Sequence, residues 1–416
     1  MHIPSHIKSL ISLFSSQNGK AYLVGGCVRD SLLGVTPHDW DIAVTTEPDE
    51  TISICENAGY RVIPSGIKHG TVTVLVPMGQ NSDDSDIYDH VECTTCRTEG
   101  NYSDGRHPDT ISFSGKIEDD LARRDFTINA MACCCDDGEL KIIDLHGGQE
   151  DLDKKIIRTV GDPNERFAED GLRILRSIRF AVKLGFFIDK ETRVAIECNA
   201  FRLKSISHER IRDEFKKILT SDNPKRGLFL LNEFDLLKYI LPGSISPYGM
   251  GAIDQVKEDF SVRMATLLFG MDSDSLIENL KWLKLSNEEI KNITVLATSS
   301  VISAEPTSRN ARRWRHILGD LVFDGIKVRL AHAYHDFDNL LELRELIEIS
   351  QNNNDPVDIS DLAINGHDLL ALGLKPDRKF VEIFNYLLEV IWDFPAKNKK
   401  EILMDEVKKY LNSHPN

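Results

Sequence analysis

The chain has 416 residues, of which 41% are hydrophobic and 28% are charged. This length suits about two to four domains rather than one small core. It contains no uninterrupted apolar stretch long enough to span a bilayer, and residues 1–16 lack the basic region and small-residue cleavage site of a secretory signal. We therefore expect a cytoplasmic protein with no membrane partner. The formal net charge of −16, taken alone, argues against a nucleic-acid partner.

The cysteines of the chain, eight in number, all lie in its first half. Cys93 and Cys96 have the spacing of a zinc-ligand pair, but neither a second C-x-x-C pair nor a histidine pair completes a tetrahedral site. Reduced thiols are therefore favoured over a zinc site.

The N-terminal elements are predicted from periodicity and from glycine positions. Apolar residues at helical spacing predict an amphipathic helix that buries Ile7, Leu10, Ile11 and Phe14. Residues 23–46 (LVGGCVRDSLLGVTPHDWDIAVTT) then predict an apolar strand, a glycine pair, a short helix, a turn and a second apolar strand. The glycine pair, Gly25 and Gly26, lets backbone N–H groups approach a triphosphate, and Arg29 on the short helix is expected to pair with it.

Asp39 and Asp41 open the second strand of this block. Residues i and i+2 of a strand share one face, so we predict that the two Cα atoms lie about 7 Å apart. This separation would let both carboxylates bind a pair of Mg²⁺ ions. A D-x-D sequence alone is usually a solvated strand end and a glycine pair is usually a turn, but the ordered combination favours phosphoryl transfer.

The block resembles the head of the nucleotidyltransferases related to DNA polymerase β, in the branch that contains class II tRNA CCA-adding enzymes and bacterial poly(A) polymerases. The resemblance is strong over residues 20–242 and returns faintly at 362–376 (LAINGHDLLALGLKP). It implies two Mg²⁺ ions at Asp39 and Asp41, no organic cofactor, and tRNA, CTP and ATP as partners.

The resemblance also implies the architecture. We expect an α+β nucleotidyltransferase head, with a small mixed sheet and helices, followed by an elongated all-α neck, body and tail. The expected domains are a catalytic head (1–145), a neck that selects the base (146–220), a body (221–350) and a tail that binds tRNA (351–416). Residues 154–226 contain 18 Lys and Arg against 11 Asp and Glu, and such a basic middle suits a tRNA lying along one groove.

The rest of the predicted head alternates strands and helices. Residues 68–76 predict a turn into a strand, 80–86 a hairpin tip, 90–97 the next strand and 99–109 a loop. Glu92 lies alone on its strand and would normally face water, but the resemblance implies that it supports metal binding or helps to take the proton from the attacking hydroxyl. Residues 93–108, with Asp104, Gly105 and Arg106, resemble the family's flexible loop, which favours complete CCA addition over addition of CC alone.

Residues 121–131 (LARRDFTINAM) match a motif of the family. The resemblance gives Arg124 a contact to phosphate or ribose. It also implies that Asp125 and Asn129 fix the sugar, whose 2′-OH is both a donor and an acceptor. The alternative is an exposed arginine pair without a function, but this would not explain the match over the whole of residues 121–131.

Residues 166–180 (RFAEDGLRILRSIRF) predict one helix on which Asp170 and Arg173 are neighbours at i and i+3. The pair could be a local salt bridge, or it could imitate a complementary base. An acceptor beside a donor matches the pairing edges of cytosine and adenine, whereas uracil and guanine present the opposite order and would leave buried groups mispaired. Arg176 and Arg179 continue at i+3 steps and are expected to reach the phosphates or the stacked base.

Beyond about residue 150 helical periodicity replaces strand signals, with breaks at 222–225 and 241–243 and a linker at 352–356. The leading hypothesis is template-independent addition of CMP and AMP to the tRNA 3′ end. An enzyme that adds only the final A, a poly(A) polymerase, a catalytically inactive tRNA-binding protein and a phosphohydrolase remain as alternatives. The intact aspartate pair argues against an inactive head, and Phe269-Gly270, where a His-Asp metal site would lie, argues against a hydrolase.

Overall fold

The computed structural model describes residues 1–17, 19–80, 86–100, 102, 105–106, 108–136, 139–243, 247–257 and 259–414. The chain divides into two units, one made of Met1–Ile218 and Phe229–Ile240 and the other of Leu219–Leu228 and Leu241–Asn416. The finer division into head, neck, body and tail stays a prediction. Within the described ranges, every helix is too short or too polar to cross a membrane.

A seven-stranded mixed sheet forms the frame of the head. The strands of the first unit are β1 (Ala21–Val24), β2 (Asp41–Val44), β3 (Arg61–Gly66), β4 (Thr71–Gln80), β5 (Asp86–Thr95), β6 (Arg97–Glu99), β7 (Ile111–Phe113), β8 (Met131–Asp136), β9 (Glu139–Asp144), β10 (Ile156–Ile157) and β11 (Phe187–Ile188). The sheet has the order β3-β4-β5-β2-β1-β8-β9, in which β2 and β5 run parallel and the other neighbours run antiparallel. The predicted α+β head with a small mixed sheet is confirmed. The hairpin tip predicted at 80–86 falls mostly on residues outside the described ranges.

The central strands are apolar because both of their faces are covered. All four residues of β1 are buried, and Ala43 of β2 packs in the same cluster as Tyr22 and Val24 of β1. The predicted N-terminal helix is confirmed: its apolar stripe of Ile7, Leu10, Ile11 and Phe14 is buried.

The helices follow from the apolar periodicity in both units. They are α1 (Ser5–Ser16), α2 (Gly26–Leu32), α3 (Pro48–Asn57), α4 (Ile117–Ala122), α5 (Gly148–Lys154), α6 (Pro163–Glu169), α7 (Leu172–Leu184), α8 (Lys190–Asn199), α9 (His208–Leu219), α10 (Pro224–Glu233), α11 (Leu237–Ile240), α12 (Pro247–Ala252), α13 (Phe260–Leu267), α14 (Ser273–Trp282), α15 (Asn287–Ala297), α16 (Ser308–Leu318), α17 (Val322–His332), α18 (Phe337–Asn352), α19 (Gly366–Ala371), α20 (Arg378–Asp393) and α21 (Lys400–Ser413). The predicted breaks are confirmed: α9 ends before Pro224, α11 ends before the Pro-Gly pair, and α18 ends at Asn352.

One feature of the region beyond residue 150 differs from the expectation of helices alone. Ile156 and Ile157 of β10 pair in parallel with Phe187 and Ile188 of β11. Each strand has only two residues, so its sequence is too short to show the alternation by which longer strands are recognised. This ladder joins the segment before α6 to the segment after α7, which fixes both ends of that helix pair.

Candidate active site

Two parallel strands bring acidic residues side by side at the edge of the predicted phosphate site. Asp41 opens β2 and lies in register with Glu92 of β5. Because side chains alternate along a strand, both point away from the face that buries Ile42 and Cys93. Asp41 is half-buried, whereas Glu92 is exposed.

Asp39 lies in the bend before β2, so the prediction that Asp39 and Asp41 share one strand is wrong. On one side of β2 the neighbouring strand ends: β1 stops at Val24 and the chain turns at Gly25, which has a φ of 75°, whereas β5 on the other side continues to Asp86. Strand β1 therefore offers no residue to pair with Asp39. The two aspartates still interact, as the pKa of Asp41 shows.

The pKa of Asp41 is raised above its ordinary value of 3.8, chiefly because the group is buried. The positive charge of Arg124 opposes this shift, and the negative charges of Glu92 and Asp39 add to it. Such a cluster of oxygen donors suits a hard divalent cation, which would relieve the mutual repulsion. Among the described residues no group of three or more His, Cys, Asp or Glu side chains already forms a metal cage, so the fit of Asp39 and Asp41 to Mg²⁺ rests on their chemistry.

The glycine turn brings a cation close to these carboxylates. A Cβ atom added at Gly25 would lie 2.8 Å from Arg124 Nη1 and 3.8 Å from Asp41 Oδ2. Only glycine leaves room for both side chains and readily adopts the positive φ. Gly26 begins α2, as the predicted phosphate turn requires.

Arg29 is buried, with 4% of its surface exposed. Its Nε donates to Asp30 Oδ1 at 2.7 Å, and its Nη1 donates to Asn129 Oδ1 at 2.6 Å. Asn129 in turn donates to Asp125 Oδ1 at 3.2 Å. The structure thus brings Arg29 to the predicted sugar-binding residues, where it supports Asn129.

Asp125 forms a two-point ion pair with Arg176, whose Nε and Nη2 lie 2.8 and 2.5 Å from Asp125 Oδ2. Burial alone would raise the pKa of Asp125, but the charge of Arg176 and the hydrogen bond from Asn129 outweigh it and lower the pKa to about 2. The carboxylate is therefore held ionised, and it fixes the position of the guanidinium beside it.

A cleft of about 300 Å³ collects most of the predicted nucleotide-binding residues. Its lining consists of Arg123, Arg124, Asp125, Asp170, Leu172, Arg173, Arg176 and Arg210. A larger cleft of about 590 Å³, between the N-terminal residues and the loop before β2, contains none of the predicted site residues. The smaller, arginine-lined cleft is therefore the candidate nucleotide site.

The single helix predicted over 166–180 is wrong, because the chain breaks at Asp170. Helix α6 ends at Glu169, Asp170 has extended backbone angles (φ −148°, ψ 105°), and α7 starts at Leu172. The carboxylate of Asp170 accepts a hydrogen bond from Leu172 N at 3.0 Å, a local bond that aspartate forms at turns and helix starts rather than inside a helix. Asp170 therefore lies before the start of α7 and Arg173 lies in its first turn, so the two are not neighbours on one helix.

Asp170 and Arg173 both face the cleft, but each has a partner other than the one expected. Arg210 Nη2 lies 2.7 Å from Asp170 Oδ2. Arg173 pairs with Glu169 and donates from Nη2 to the carbonyl of Arg123 at 3.2 Å. Asp170 and Arg173, both described, therefore form no salt bridge with each other.

Arg179, like Arg29, belongs to the predicted set but does not line the cleft. Its Nε lies 2.7 Å from Glu214 Oε2, and its guanidinium carbon lies 4.3 Å from the centre of the Phe180 ring. Through these contacts the side chain of Arg179 packs between α7 and α9.

The predicted flexible loop is only partly described. Asp104 lies outside the described residues, and Gly105 has a φ of 66°. Arg106 lines a second cleft of about 330 Å³, which shares Asp170 and Arg173 with the first. The first part of the predicted loop is instead strand, because β6 pairs with β7.

Residues of the site that the sequence analysis missed include Asp120, Glu99 and Tyr102. Asp120 is fully buried and pairs with both Arg123 and Arg124, and Glu99 pairs with Arg123 at 3.2 Å. Tyr102 donates a hydrogen bond to Glu99, and both line the second cleft. The signal for Asp120 was its position, three and four residues before two arginines on a helix. Glu99 also pairs with Arg97, two residues earlier, but its contact with Arg123 spans 24 residues of the chain and gave no signal in the sequence.

Comparison with known proteins gives matches along most of the chain. Residues 21–158 match the family model of the Poly A polymerase head domain. Residues 185–245 match that of the "Probable RNA and SrmB- binding site of polymerase A", and residues 261–407 match that of tRNA nucleotidyltransferase domain 2.

Relatives cover nearly the full length. The chain is 34% identical over 424 residues to the CCA-adding enzyme of Ligilactobacillus salivarius, covering 99% of this chain and 98% of that protein. The identity reaches 47% with the CCA-adding enzyme of Limosilactobacillus reuteri, over 209 residues that cover 50% of this chain and 48% of that protein.

Solved structures have the same fold. The CCA-adding enzyme of Bacillus stearothermophilus in complex with CTP superposes with a TM-score of 0.78 at 28% identity, covering 99% of this chain and 100% of that one. The Thermotoga maritima CCA-adding enzyme complexed with tRNA has a TM-score of 0.69 at 22% identity, covering 98% and 96%, and this likeness is one of fold alone.

Proposed function

Because this chain belongs to the family of CCA-adding enzymes, which are nucleotidyltransferases of tRNA processing, we propose that it adds C, C and A to the tRNA 3′ end from CTP and ATP. No nucleic-acid template takes part. The observation that supports this most directly is the meeting of Arg124, Asp125, Asp170 and Arg173 in one cleft. The CTP complex of a relative at 28% identity supports CTP as a substrate.

The reaction joins the terminal 3′-oxygen of tRNA to the α-phosphorus of the nucleotide. The bond between that phosphorus and the bridging oxygen breaks, pyrophosphate leaves, and the hydroxyl proton goes to a base. Asp39 and Asp41 would hold two Mg²⁺ ions, which supply activation of the hydroxyl and neutralisation of the triphosphate charge when bound. Glu92, in register with Asp41, is the nearest strand neighbour able to assist the metal or accept the proton.

The sugar and phosphates would be held by the segment between α4 and β8. Arg124 brings its positive charge to the glycine turn, where a triphosphate can approach the backbone of Gly25 and Gly26. Asp125 and Asn129 offer an acceptor and a donor for a ribose hydroxyl, and Arg29 holds Asn129 in place.

Base selection would come from Asp170 and Arg173, which lie on the same cleft. Asp170 Oδ2 accepts one bond, from Arg210 Nη2, so it has a lone pair left for the exocyclic amine of cytosine or adenine. Arg173 gives its Nη atoms to Glu169, Arg166 and Arg123 and retains Nε–H as a donor for a ring nitrogen. Uracil and guanine present acceptor and donor in the opposite order and would be rejected.

A nucleotide-by-nucleotide extension assay tests the proposal. A tRNA transcript lacking CCA is incubated with Mg²⁺ and one labelled nucleotide, and the products are separated at single-nucleotide resolution. We expect two additions with CTP alone, three with CTP and ATP, and none with UTP or GTP.

Each other outcome identifies an alternative. Extension of a transcript ending in CC by ATP, with none from CTP, means an enzyme that adds only A. A long adenylate ladder means a poly(A) polymerase. No incorporation, with tRNA still bound, means a catalytically inactive tRNA-binding protein.

A further inference from the structure

Asp120 is a fully buried carboxylate that no part of the proposed mechanism uses. It lies near the end of α4, and its two oxygens are bound by two consecutive arginines. Oδ1 pairs with Arg123, while Oδ2 accepts from Nε and Nη2 of Arg124 at 3.0 and 2.7 Å. A buried carboxylate with this many charged donors is held rigidly and holds its partners equally well.

Arg124 is the partner whose position matters for the carboxylates of β2. With Nε and Nη2 bound to Asp120, only Nη1 points toward the glycine turn, where it also donates to the carbonyl of Asn129 at 3.4 Å. Asp41 Oδ2 approaches the same glycine, 3.8 Å from the position that a Cβ atom would take there. Arg124 and Asp41, both described, form no ion pair with each other, although Arg124 influences the charge state of Asp41.

We propose that Asp120 is a positioning residue for cation binding, which restrains Arg124 so that the guanidinium does not pair with Asp41. The inference rests on the proposed function, since it takes Asp39 and Asp41 as the metal-binding pair. Without the carboxylate of Asp120, two donors of Arg124 lose their acceptors, and Asp41 is a carboxylate within reach of the same turn. A guanidinium bound there competes with a divalent cation for the same oxygens.

Arg123 explains why one carboxylate serves both arginines. Its Nη1 also binds Glu99 at 3.2 Å, and its carbonyl accepts from Arg173 Nη2 at 3.2 Å. Asp120 is therefore anchored from the side of the base-reading cleft and restrains Arg124 on the side of the acidic pair. Asp120 is fully buried and does not line the cleft, so we expect its effect on cation binding to pass through Arg124.

Binding of Mn²⁺ to the full-length protein, without nucleotide or tRNA, tests this inference. Free Mn²⁺ is measured by electron paramagnetic resonance for the wild type, for Asp120→Asn and for Glu118→Gln. The last variant removes the same charge from an exposed position two residues earlier on α4. We expect Asp120→Asn to weaken Mn²⁺ binding about tenfold, as loss of a supporting residue does at other metal sites, and Glu118→Gln to leave it unchanged.

A second background shows whether the effect of Asp120→Asn passes through Arg124. In Arg124→Gln the competing cation is absent, so adding Asp120→Asn should leave the Kd for Mn²⁺ where Arg124→Gln alone puts it. A merely structural role of Asp120 would weaken Mn²⁺ binding in this background as well, and that result would overturn the inference.

The control Asp41→Asn separates this inference from the proposed function. If the wild type binds Mn²⁺ no more tightly than Asp41→Asn, the metal assignment fails and the inference fails with it. If the wild type binds Mn²⁺ more tightly than Asp41→Asn but as tightly as folded Asp120→Asn, the inference alone is overturned and the metal assignment stands.

Discussion

Two helices of this chain carry arginines at the same spacing and use them differently. Helix α7 in the first unit and helix α16 in the second each carry three arginines at i, i+3 and i+6: Arg173, Arg176 and Arg179, and Arg309, Arg312 and Arg315. In α7 two of the three line the 300 Å³ cleft. Their charges face the space in which we propose that the nucleotide binds.

In α16 the arginines close contacts within the helical unit. Arg312 donates to Asp355 at 2.7 Å and to the carbonyl of Trp392 at 2.6 Å, and Arg315 donates to the carbonyl of Ser350 at 2.8 Å. Arg309 pairs with Glu389 and Asp393 of α20. These bonds fasten the end of α18, the following linker and α20 to one helix, so arginine spacing alone does not distinguish ligand binding from structure.

The largest expected effect breaks the chemistry without touching either arginine helix. We expect Asp41→Ala to lower CMP incorporation by more than about a thousandfold, because the half-buried carboxylate is a metal ligand in the proposed reaction. Binding of tRNA, measured by filter retention, should survive. Asp338→Ala, an exposed change in α18, is the control, and substantial activity of Asp41→Ala would remove the head from its proposed role.

The next effect tests the structural use of α16. Arg312→Ala removes the ion pair with Asp355, whose side chain is largely buried. We expect this variant to lower the free energy of unfolding by about 3 kcal/mol. Urea titration measures this change. Arg313→Ala, at the neighbouring exposed position, should change the free energy of unfolding by less than about 0.5 kcal/mol. Discrimination of CTP from UTP should be the same in both variants, and a loss of discrimination in Arg312→Ala would contradict the comparison.

Removing an arginine from α7 should instead reduce the discrimination between nucleotides. We expect Arg173→Ala to lower the ratio of CTP to UTP incorporation about a hundredfold, because a base-pairing donor is lost from the cleft. The ratio of kcat/KM values for the two nucleotides measures this. Lys183→Ala, at an exposed position near the end of the same helix, should leave the ratio unchanged. An unchanged ratio in Arg173→Ala would remove this residue from base selection.

The sequence predicted most of the head because its signals were local. The buried strand before Gly25, the helix with Arg29 and the breaks before Pro224 and after Ile240 all follow from residues that are neighbours in the chain. The break at Asp170 was missed because apolar periodicity continues on both sides of it, although Asp170-Gly171 is a local turn signal and Asp170 bonds to Leu172 only two residues later.

The partners of the site residues could not be predicted for the same reason. Arg210 reaches Asp170 from 40 residues away, and Arg176 reaches Asp125 from 51 residues away. A sequence gives the spacing along one helix but not the register between helices and the sheet. The expected pair joined Asp170 to Arg173, its neighbour in the chain. In the fold, Asp170 instead accepts from Arg210, and Arg173 donates to the distant carbonyl of Arg123.

The smallest expected effect concerns the ion pair that fixes Arg176 at the cleft. The pKa of Asp125 falls from its ordinary value of 3.8 to about 2 in the folded protein. A carboxyl whose pKa is depressed by folding stabilises the native state above its ordinary pKa, and this contribution disappears as the pH falls through the folded-state pKa. At pH 7 the shift corresponds to about 2 kcal/mol.

We therefore expect Asp125→Asn to be less stable than the wild type at pH 7 by about this amount, with a difference that shrinks between about pH 4 and pH 2. Urea titrations at pH 7, 4 and 3 measure it, and the exposed Asp153→Asn of α5 is the control. A difference that stays constant with pH would mean that Asp125 stabilises the protein through packing, and Arg176 would then owe its place at the cleft to other contacts.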